Sequence, residues 1–153
     1  MARLAPNREG AFPLLFQEGY DGISAESWIY NCIAFAADRD DRWWWPDPYG
    51  VGFWPDGVPR EVKMEAFLKA YESIGYEVCA DGQAEAGYEK IAIYEKDGKP
   101  THAAKQTPNG KWKSKLGPWE DIEHNTLRAV ETWAGVGLYG KASRYMRRKQ
   151  HVI

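Results

Sequence analysis

The stretch EKIAIYEKDGKPTHAAKQTPNGKWKSKL (89–116) decides the fold, because three strand-like runs are joined in it by two tight turns. Apolar and polar residues alternate in these runs, which is the two-residue period of a strand. The turns carry Asp-Gly and Asn-Gly pairs, which favour the left-handed backbone of short hairpins. We therefore predict an antiparallel meander with strands over 89–95, 101–106 and 111–116.

Helical patterns flank this meander. From Ser24 onward the apolar residues Trp28, Cys32 and Phe35 recur at helical spacing, and Asn31 is an alternative, later start that would put Cys32 in the first turn. The sequence predicts further elements at 59–75 (helix), 76–79 (short strand) and 118 or 119 to about 133 (last helix).

Helices and an antiparallel meander together predict an α+β fold. Neither a repeat nor a linker divides the chain, so we predict a single domain over 1–153. Its irregular lead-in covers 1–22, and its basic C-terminal tail, over 134–153, is predicted to be a solvated helix face or a frayed end.

Composition excludes several classes of protein. The 153 residues are 44% hydrophobic and 27% charged, which is typical of a globular domain with a core. Twenty basic and 22 acidic side chains give a net charge of −2, so we expect no nucleic-acid partner. The chain has no apolar run near the roughly 20 residues that span a bilayer, and we expect no membrane association.

Cysteine and histidine spacing bears on location and cofactors. Two cysteines are too few for a secreted disulfide scaffold, and the stretch 1–12 lacks the apolar segment of a signal peptide, so we expect a cytoplasmic protein. The chain has neither the CxxC or HxxxH spacing of a metal site nor a glycine-rich phosphate loop. We predict no metal and no cofactor.

The pair Asn31-Cys32 opens the apolar run NCIAFA (31–36), and His102 lies on the middle strand of the meander. A helix N-terminus and an imidazole both favour a thiolate, and the backbone N–H of the cysteine can donate to an oxyanion. This pattern predicts Cys32 as a nucleophile and His102 as its base. The alternative is that both are buried structural residues, as we predict for Cys79.

At these residues the chain resembles the papain-like cysteine hydrolases, and within them the NlpC/P60 and CHAP amidase branch, whose cysteine opens a helix and whose histidine starts the second strand of a sheet. It also resembles a bacterial family that carries the patterns NCIAxA, WWWP, THAAxQ and WxSKLG, which occur here at 31–36, 43–46, 101–106 and 112–117. The resemblance implies N-terminal helices packed on the small meander, a C-terminal helix, and cysteine peptidase or amidase activity, deamidation included.

The resemblance also implies further site residues. In the superfamily a third polar residue on the next strand orients the histidine, and Ser114 stands there. Ser114 departs from the family pattern because a hydroxyl carries no charge. Gln106, on the His102 face of its own strand, is the alternative. The NlpC/P60 branch uses an upstream tyrosine at the oxyanion, for which Tyr20 is the nearest candidate and Tyr30 the second.

Eight tryptophans are present, three of them consecutive in a loop rich in proline and glycine. Their rings either roof the core over the first helix or line a groove beside Cys32, and at least one of the three should be partly exposed. The candidate substrate-binding residues are Asn31, Trp43, Trp44, Trp45 and Trp112.

These observations predict a cysteine-dependent hydrolase or acyl transferase that acts on an amide or peptide bond of a peptide or protein substrate. The alternative is a catalytically inactive papain-like binding module whose tryptophan-rich loop grips a protein or peptide partner. The sequence leaves the substrate, the third catalytic residue and the oligomeric state open.

Overall fold

A computed structural model describes residues 3–150, in which seven antiparallel strands form one sheet. The strands are β1 (Tyr20–Ser24), β2 (Glu77–Cys79), β3 (Tyr88–Lys96), β4 (Lys99–Gln106), β5 (Trp112–Lys115), β6 (Asp121–His124) and β7 (Lys141–Lys149). Their order across the sheet is β1-β6-β5-β4-β3-β7-β2. The predicted meander is confirmed as β3, β4 and β5 at the centre of this sheet, and the α+β class is confirmed with it.

The helices are short: α1 (Pro6–Glu9), α2 (Leu15–Glu18), α3 (Cys32–Ala36), α4 (Met64–Glu72) and a 3-10 turn over Leu127–Val130. Helix α4 buries a stripe of apolar side chains at helical spacing, as predicted. It begins later than the predicted residue 59, because the Pro59 carbonyl accepts from Trp54 and Arg60 donates to the Asp47 and Gly52 carbonyls. These bonds hold residues 59 and 60 to the loop that begins at Trp43 and is rich in proline and glycine, which we call the tryptophan loop.

The sheet separates two apolar layers. Helices α3 and α4 and the tryptophan loop cover one face, where they meet strand residues such as Ile91, Ile93 and Ala103; we call this the helix layer. The N-terminal segment and the turn 127–130 cover the other face, where they meet Ala92, Tyr94 and other strand residues; we call this the opposite layer. Neighbouring residues of β3 and β4 thus alternate between the two layers, as strand geometry requires.

The N-terminal predictions need correction. The helix predicted from Ser24 or Asn31 is α3, which begins at Cys32 and so confirms the alternative start at Asn31. A start at Ser24 is wrong because residues 20–24 pair with β6 as strand β1. The stretch 1–22, predicted to be irregular, holds α1, α2 and the beginning of β1 in its described part.

The predicted last helix is wrong. Residues 121–124 form β6, which pairs with β5 across a turn closed by the bond from Leu116 N to the Glu120 carbonyl. The apolar spacing that predicts a helix is therefore divided between this strand and a separate 3-10 turn over Leu127–Val130. The implied C-terminal helix is absent from the described residues, which end just after strand β7.

The basic tail is also different from its prediction. Residues 141–149 form β7, which lies between β3 and β2. Two of its three arginines are paired with acids: Arg147 with Glu77, and Arg148 with Asp38 and Glu89. Within residues 3–150 there is also no helix long and apolar enough to cross a membrane.

Candidate functional site

Asn31 determines where α3 begins. Its Oδ1 accepts from the backbone N–H of Ala34 at 3.2 Å and of Trp44 at 3.0 Å, and its Nδ2 donates to the Trp44 carbonyl at 2.7 Å. The first bond is the N-cap that a short polar side chain provides, and the other two tie the tryptophan loop to the helix start. Asn31 is 3% exposed, so its amide serves the protein's own backbone.

Cys32 follows as the first residue of α3 and is 5% exposed. Burial raises the pKa of its thiol to about 11. The backbone N–H groups of Ala103, Ile33 and Cys32 itself and the charge of Lys115 favour the thiolate, but they do not outweigh burial. The thiol is therefore protonated near neutral pH.

His102, on β4, is completely buried. Its ring stacks on Tyr139 with centroids 3.9 Å apart and planes 9° apart, and it meets Tyr94 edge-on at 5.1 Å. Its Nε2 lies 2.9 Å from Ser114 Oγ. The structure thus brings together His102 and the serine proposed to orient it.

A second histidine continues this contact. Ser114 Oγ lies 2.8 Å from His124 Nε2, and His124 Nδ1 lies 2.7 Å from the Thr126 carbonyl. Because a carbonyl only accepts, His124 Nδ1 carries a proton and its Nε2 accepts from the Ser114 hydroxyl. The Ser114 oxygen then accepts from Nε2–H of His102. We call this series the histidine chain.

The histidine chain leaves Nδ1 of His102 as a lone-pair nitrogen. That atom is buried and has no hydrogen-bond partner within residues 3–150. Burial lowers the pKa of His102 well below its usual range, and the neighbouring His124, which could also bind a proton, lowers it further. Burial also lowers the pKa of His124 to about 4. Both imidazoles are therefore neutral near neutral pH, and His102 presents a free base nitrogen.

Cys32 and His102 lie on opposite sides of strand β4. Cys32 packs in the helix layer, whereas the His102 ring contacts Tyr94 and Tyr139 of the opposite layer. The thiol lies near the backbone N–H of Ala103, the residue after His102, and its charge raises the pKa of the Tyr139 hydroxyl, after burial. Nδ1 of His102 has no hydrogen-bond partner within residues 3–150, so no hydrogen bond joins it to the Cys32 thiol.

Strands β4 and β5 separate at this level. They pair only through residues 105–106 and 112–113, so the ladder between them ends before it reaches His102 and Ser114. The His102 to Ser114 hydrogen bond bridges the gap on the side of the opposite layer. Helix α3 contacts both strands on the other side. The two proposed reactive groups therefore flank one break in the sheet.

The other candidates for orienting and oxyanion roles have their own partners. Gln106 donates to the Gly82 carbonyl at 2.7 Å rather than to His102. The Tyr20 hydroxyl lies in the opposite layer, where it accepts from Leu4 N and donates to Glu9. The Tyr30 hydroxyl donates to Asp121 at 2.7 Å.

The tryptophans divide between core and surface. Trp44 and Trp54 are buried in the same cluster as Cys32, while Trp43 and Trp45 are half-buried, in agreement with the prediction that one of the three is partly exposed. Trp112 lies in the opposite layer, on the Ser114 face of β5. The most exposed rings were not among the candidates: Trp28 is 76% exposed and Trp133 is 53% exposed.

Two residues of the site escaped the sequence analysis. His124 belonged to the predicted last helix, where it had no relation to Ser114. Recognition of 121–124 as a strand would have placed it on the Ser114 face, directly opposite Trp112. Lys115 was passed over because a lysine is rarely completely buried, yet this one is.

A groove of about 730 Å³ lies at the other end of α3 and does not include Cys32 among its lining residues. Two of its cations, Lys105 and Arg148, are ion-paired with Asp38 and Glu89. In the described ranges, no group of three or more His, Cys, Asp or Glu side chains could hold a metal ion.

Fold and site together define an α+β protein with a buried cysteine and a buried histidine chain at a break in an antiparallel sheet. A family model described as Domain of unknown function (DUF7689) matches residues 22–147, so the chain belongs to that family. No curated protein and no solved structure matches the chain.

Proposed function

We propose that the chain is a papain-like cysteine hydrolase or acyl transferase that acts on an amide or peptide bond. The observation that carries this proposal is the histidine chain, which holds His102 in one tautomer and leaves Nδ1 as an unpartnered base on β4, the strand against which α3 packs. Cys32 itself begins a helix, where backbone N–H groups are free to bind negative charge.

The reaction would begin when Cys32 Sγ attacks the carbonyl carbon of the substrate and its proton passes to His102 Nδ1. Because the resting thiol and imidazole are both neutral, transfer of the proton accompanies the attack. The oxyanion would accept hydrogen bonds from the N–H groups of Cys32 and Ile33. Ser114 would accept from Nε2–H throughout, so that Nδ1 remains the nitrogen that takes and returns the proton.

Collapse of the tetrahedral intermediate breaks the C–N bond, and the leaving amine takes the proton from His102 Nδ1. The product is a thioester on Cys32. Attack by water, with its proton taken by Nδ1, releases an acid and restores the thiol; attack by another amine or alcohol gives transfer instead.

The chromogenic ester p-nitrophenyl acetate tests this proposal without knowledge of the substrate. We expect a burst of p-nitrophenol and an acetyl group on Cys32 by peptide mass spectrometry. Cys32→Ala and His102→Gln should lose the burst, whereas Cys79→Ala, which removes the chain's other thiol, should keep it. An unacetylated Cys32, or a burst that persists in Cys32→Ala, would contradict the proposal.

A second candidate function is the catalytically inactive binding module, which the complete enclosure of His102 and the near-complete enclosure of Cys32 favour. The loop proposed to grip a partner uses Trp44 and Trp54 in the core, so its contact surface would be the exposed tip with Tyr49 and Val51. This function predicts no acetylation of Cys32 and partner binding that Cys32→Ala leaves unchanged.

A further inference from the structure

Lys115 is a completely buried lysine on β5. Its Nζ donates to the Ser27 carbonyl at 2.8 Å and the Gly117 carbonyl at 2.6 Å, and it lies 5.0 Å from the centre of the Tyr30 ring. Removal of an ammonium group from water is costly unless polar partners replace the water. Two carbonyls and an aromatic face supply that replacement here, so the position of the charge is well defined.

These contacts put the charge at the entrance to α3. Ser27 and Tyr30 belong to the segment 25–31, which leads directly into Cys32. Lys115 projects from the same face of β5 as the residues that meet α3, opposite to Ser114. Its third N–H has no acceptor within residues 3–150. Cys32 therefore has a fixed positive charge on its own side of the sheet, while His102 lies across β4.

We propose that Lys115 is a positioning residue for Cys32: it anchors the segment 25–31 at the start of α3 and holds a positive charge near Sγ that stabilises negative charge formed there. The proposal rests on the proposed function, because it assigns the electrostatic support of the same nucleophile. Lys115 would also stabilise negative charge at the site, which Tyr20 and Tyr30 do not do because their hydroxyls are bound to Leu4, Glu9 and Asp121.

Other charged and titratable groups face this pair. Around Lys115 these are Asp121, Glu120, Glu26 and Cys32, which all favour the ammonium form, although burial lowers its pKa. Around Cys32 they are Lys115 from β5, Tyr71 from α4 and Tyr139 from the segment before β7. Lys115 is the one cation that acts on the thiol among these groups, so its removal should disfavour the thiolate.

The test is the rate of Cys32 alkylation by iodoacetamide near neutral pH, well below the pKa of the thiol, in a Cys79→Ala background that leaves one thiol. We expect Lys115→Met to slow the reaction about tenfold, because the thiolate fraction falls by that factor. Lys115→Gln should slow it similarly, because the amide still donates to the carbonyls but is uncharged. Lys115→Arg should keep the rate.

Lys113→Met is the matched control, since it removes one charge from the same face of β5 and should leave the alkylation rate unchanged. An alkylation rate of folded Lys115→Gln or Lys115→Met equal to that of Lys113→Met would overturn the proposal. Failure of the proposed function looks different: His102→Gln would then alkylate as fast as the parent, whatever the Lys115 variants do.

Discussion

His102, Ser114 and His124 carry polar atoms into an apolar layer, and their hydrogen bonds compensate most of that cost. Every polar side-chain atom in this group has a partner except Nδ1 of His102. An unpartnered buried acceptor costs on the order of 1–3 kcal/mol, so its retention needs a reason. Use of that nitrogen as a base is the reason we propose.

Neutral buried histidines make stability depend on pH. The pKa of His124 is lowered from 6.5 to about 4, so between these two pH values the unfolded chain binds a proton at His124 and the folded chain does not. The stabilisation is present above the unfolded pKa and is lost as pH falls through the window from 6.5 towards 4. We expect the free energy of urea unfolding to fall by at least about 2 kcal/mol from about pH 7 to about pH 5.

The control for this prediction is His124→Gln, which removes the titrating group and retains an amide that can hydrogen-bond to Ser114. Its unfolding free energy should depend less on pH over the same window, with His102 responsible for what remains. A wild-type unfolding free energy that is flat between these two pH values would show that His124 is not buried as a neutral imidazole.

At the scale of elements, the start of α3 is held by Asn31 and not by the short helix itself. Five residues of helix are too few to be stable alone, so the cap and the two bonds to Trp44 fix the position of Cys32. We expect Asn31→Ala to reduce the free energy of unfolding by about 3 kcal/mol, because it removes a cap and leaves buried groups of Trp44 unpaired.

Asn31→Ser separates the two roles, since a serine can cap the helix but cannot span to both groups of Trp44. It should lose less stability than Asn31→Ala in the same urea experiment. Equal unfolding free energies for wild type and Asn31→Ala would contradict the assignment of Asn31 as the anchor of the tryptophan loop.

The segment 131–140, between the 3-10 turn and β7, covers His102 with the ring of Tyr139. It is a small hairpin, with a bridge between Trp133 and Val136, and the Tyr139 carbonyl accepts from Thr101. Large apolar residues on it are half exposed, including Trp133 and Leu138. In the function we propose, a substrate would have to displace this cover to reach His102.

We therefore expect Tyr139→Ala to increase the alkylation rate of Cys32 by iodoacetamide several-fold, because the space above His102 opens. Tyr139→Phe keeps the stacked ring and should react like wild type. Equal alkylation rates in all three proteins would mean that Tyr139 does not control access to the thiol.

The elements that could be predicted from sequence are those with local signals. The meander has period-two runs and Gly-containing turns, and Asn31 is a strong N-cap residue, so Cys32, His102 and Ser114 were placed on the right elements. β6 could not be predicted because its four residues are too few to show a clear two-residue period, and β7 because it is a strand only through pairing with the distant β3 and β2. β7 buries a single apolar side chain, Met146, among basic residues, a pattern that local reading assigns to a solvated tail.

At the scale of the whole molecule, the sheet divides the candidate site into two parts. Helix α3 brings Cys32 to one face and β4 presents His102 to the other, and the hydrogen bonds between β4 and β5 end before they reach His102, which leaves a gap there. Site residues that depend on this global arrangement, His124 and Lys115, were the ones that local sequence patterns could not identify.

The central claim is that His102 activates Cys32 across this gap, and the most direct measurement is the alkylation rate of Cys32 near neutral pH in the Cys79→Ala background. A thiol with a pKa near 11 reacts slowly unless a base assists it. We predict that adding His102→Gln slows the reaction by at least about tenfold. Equal rates with and without His102 would contradict the account.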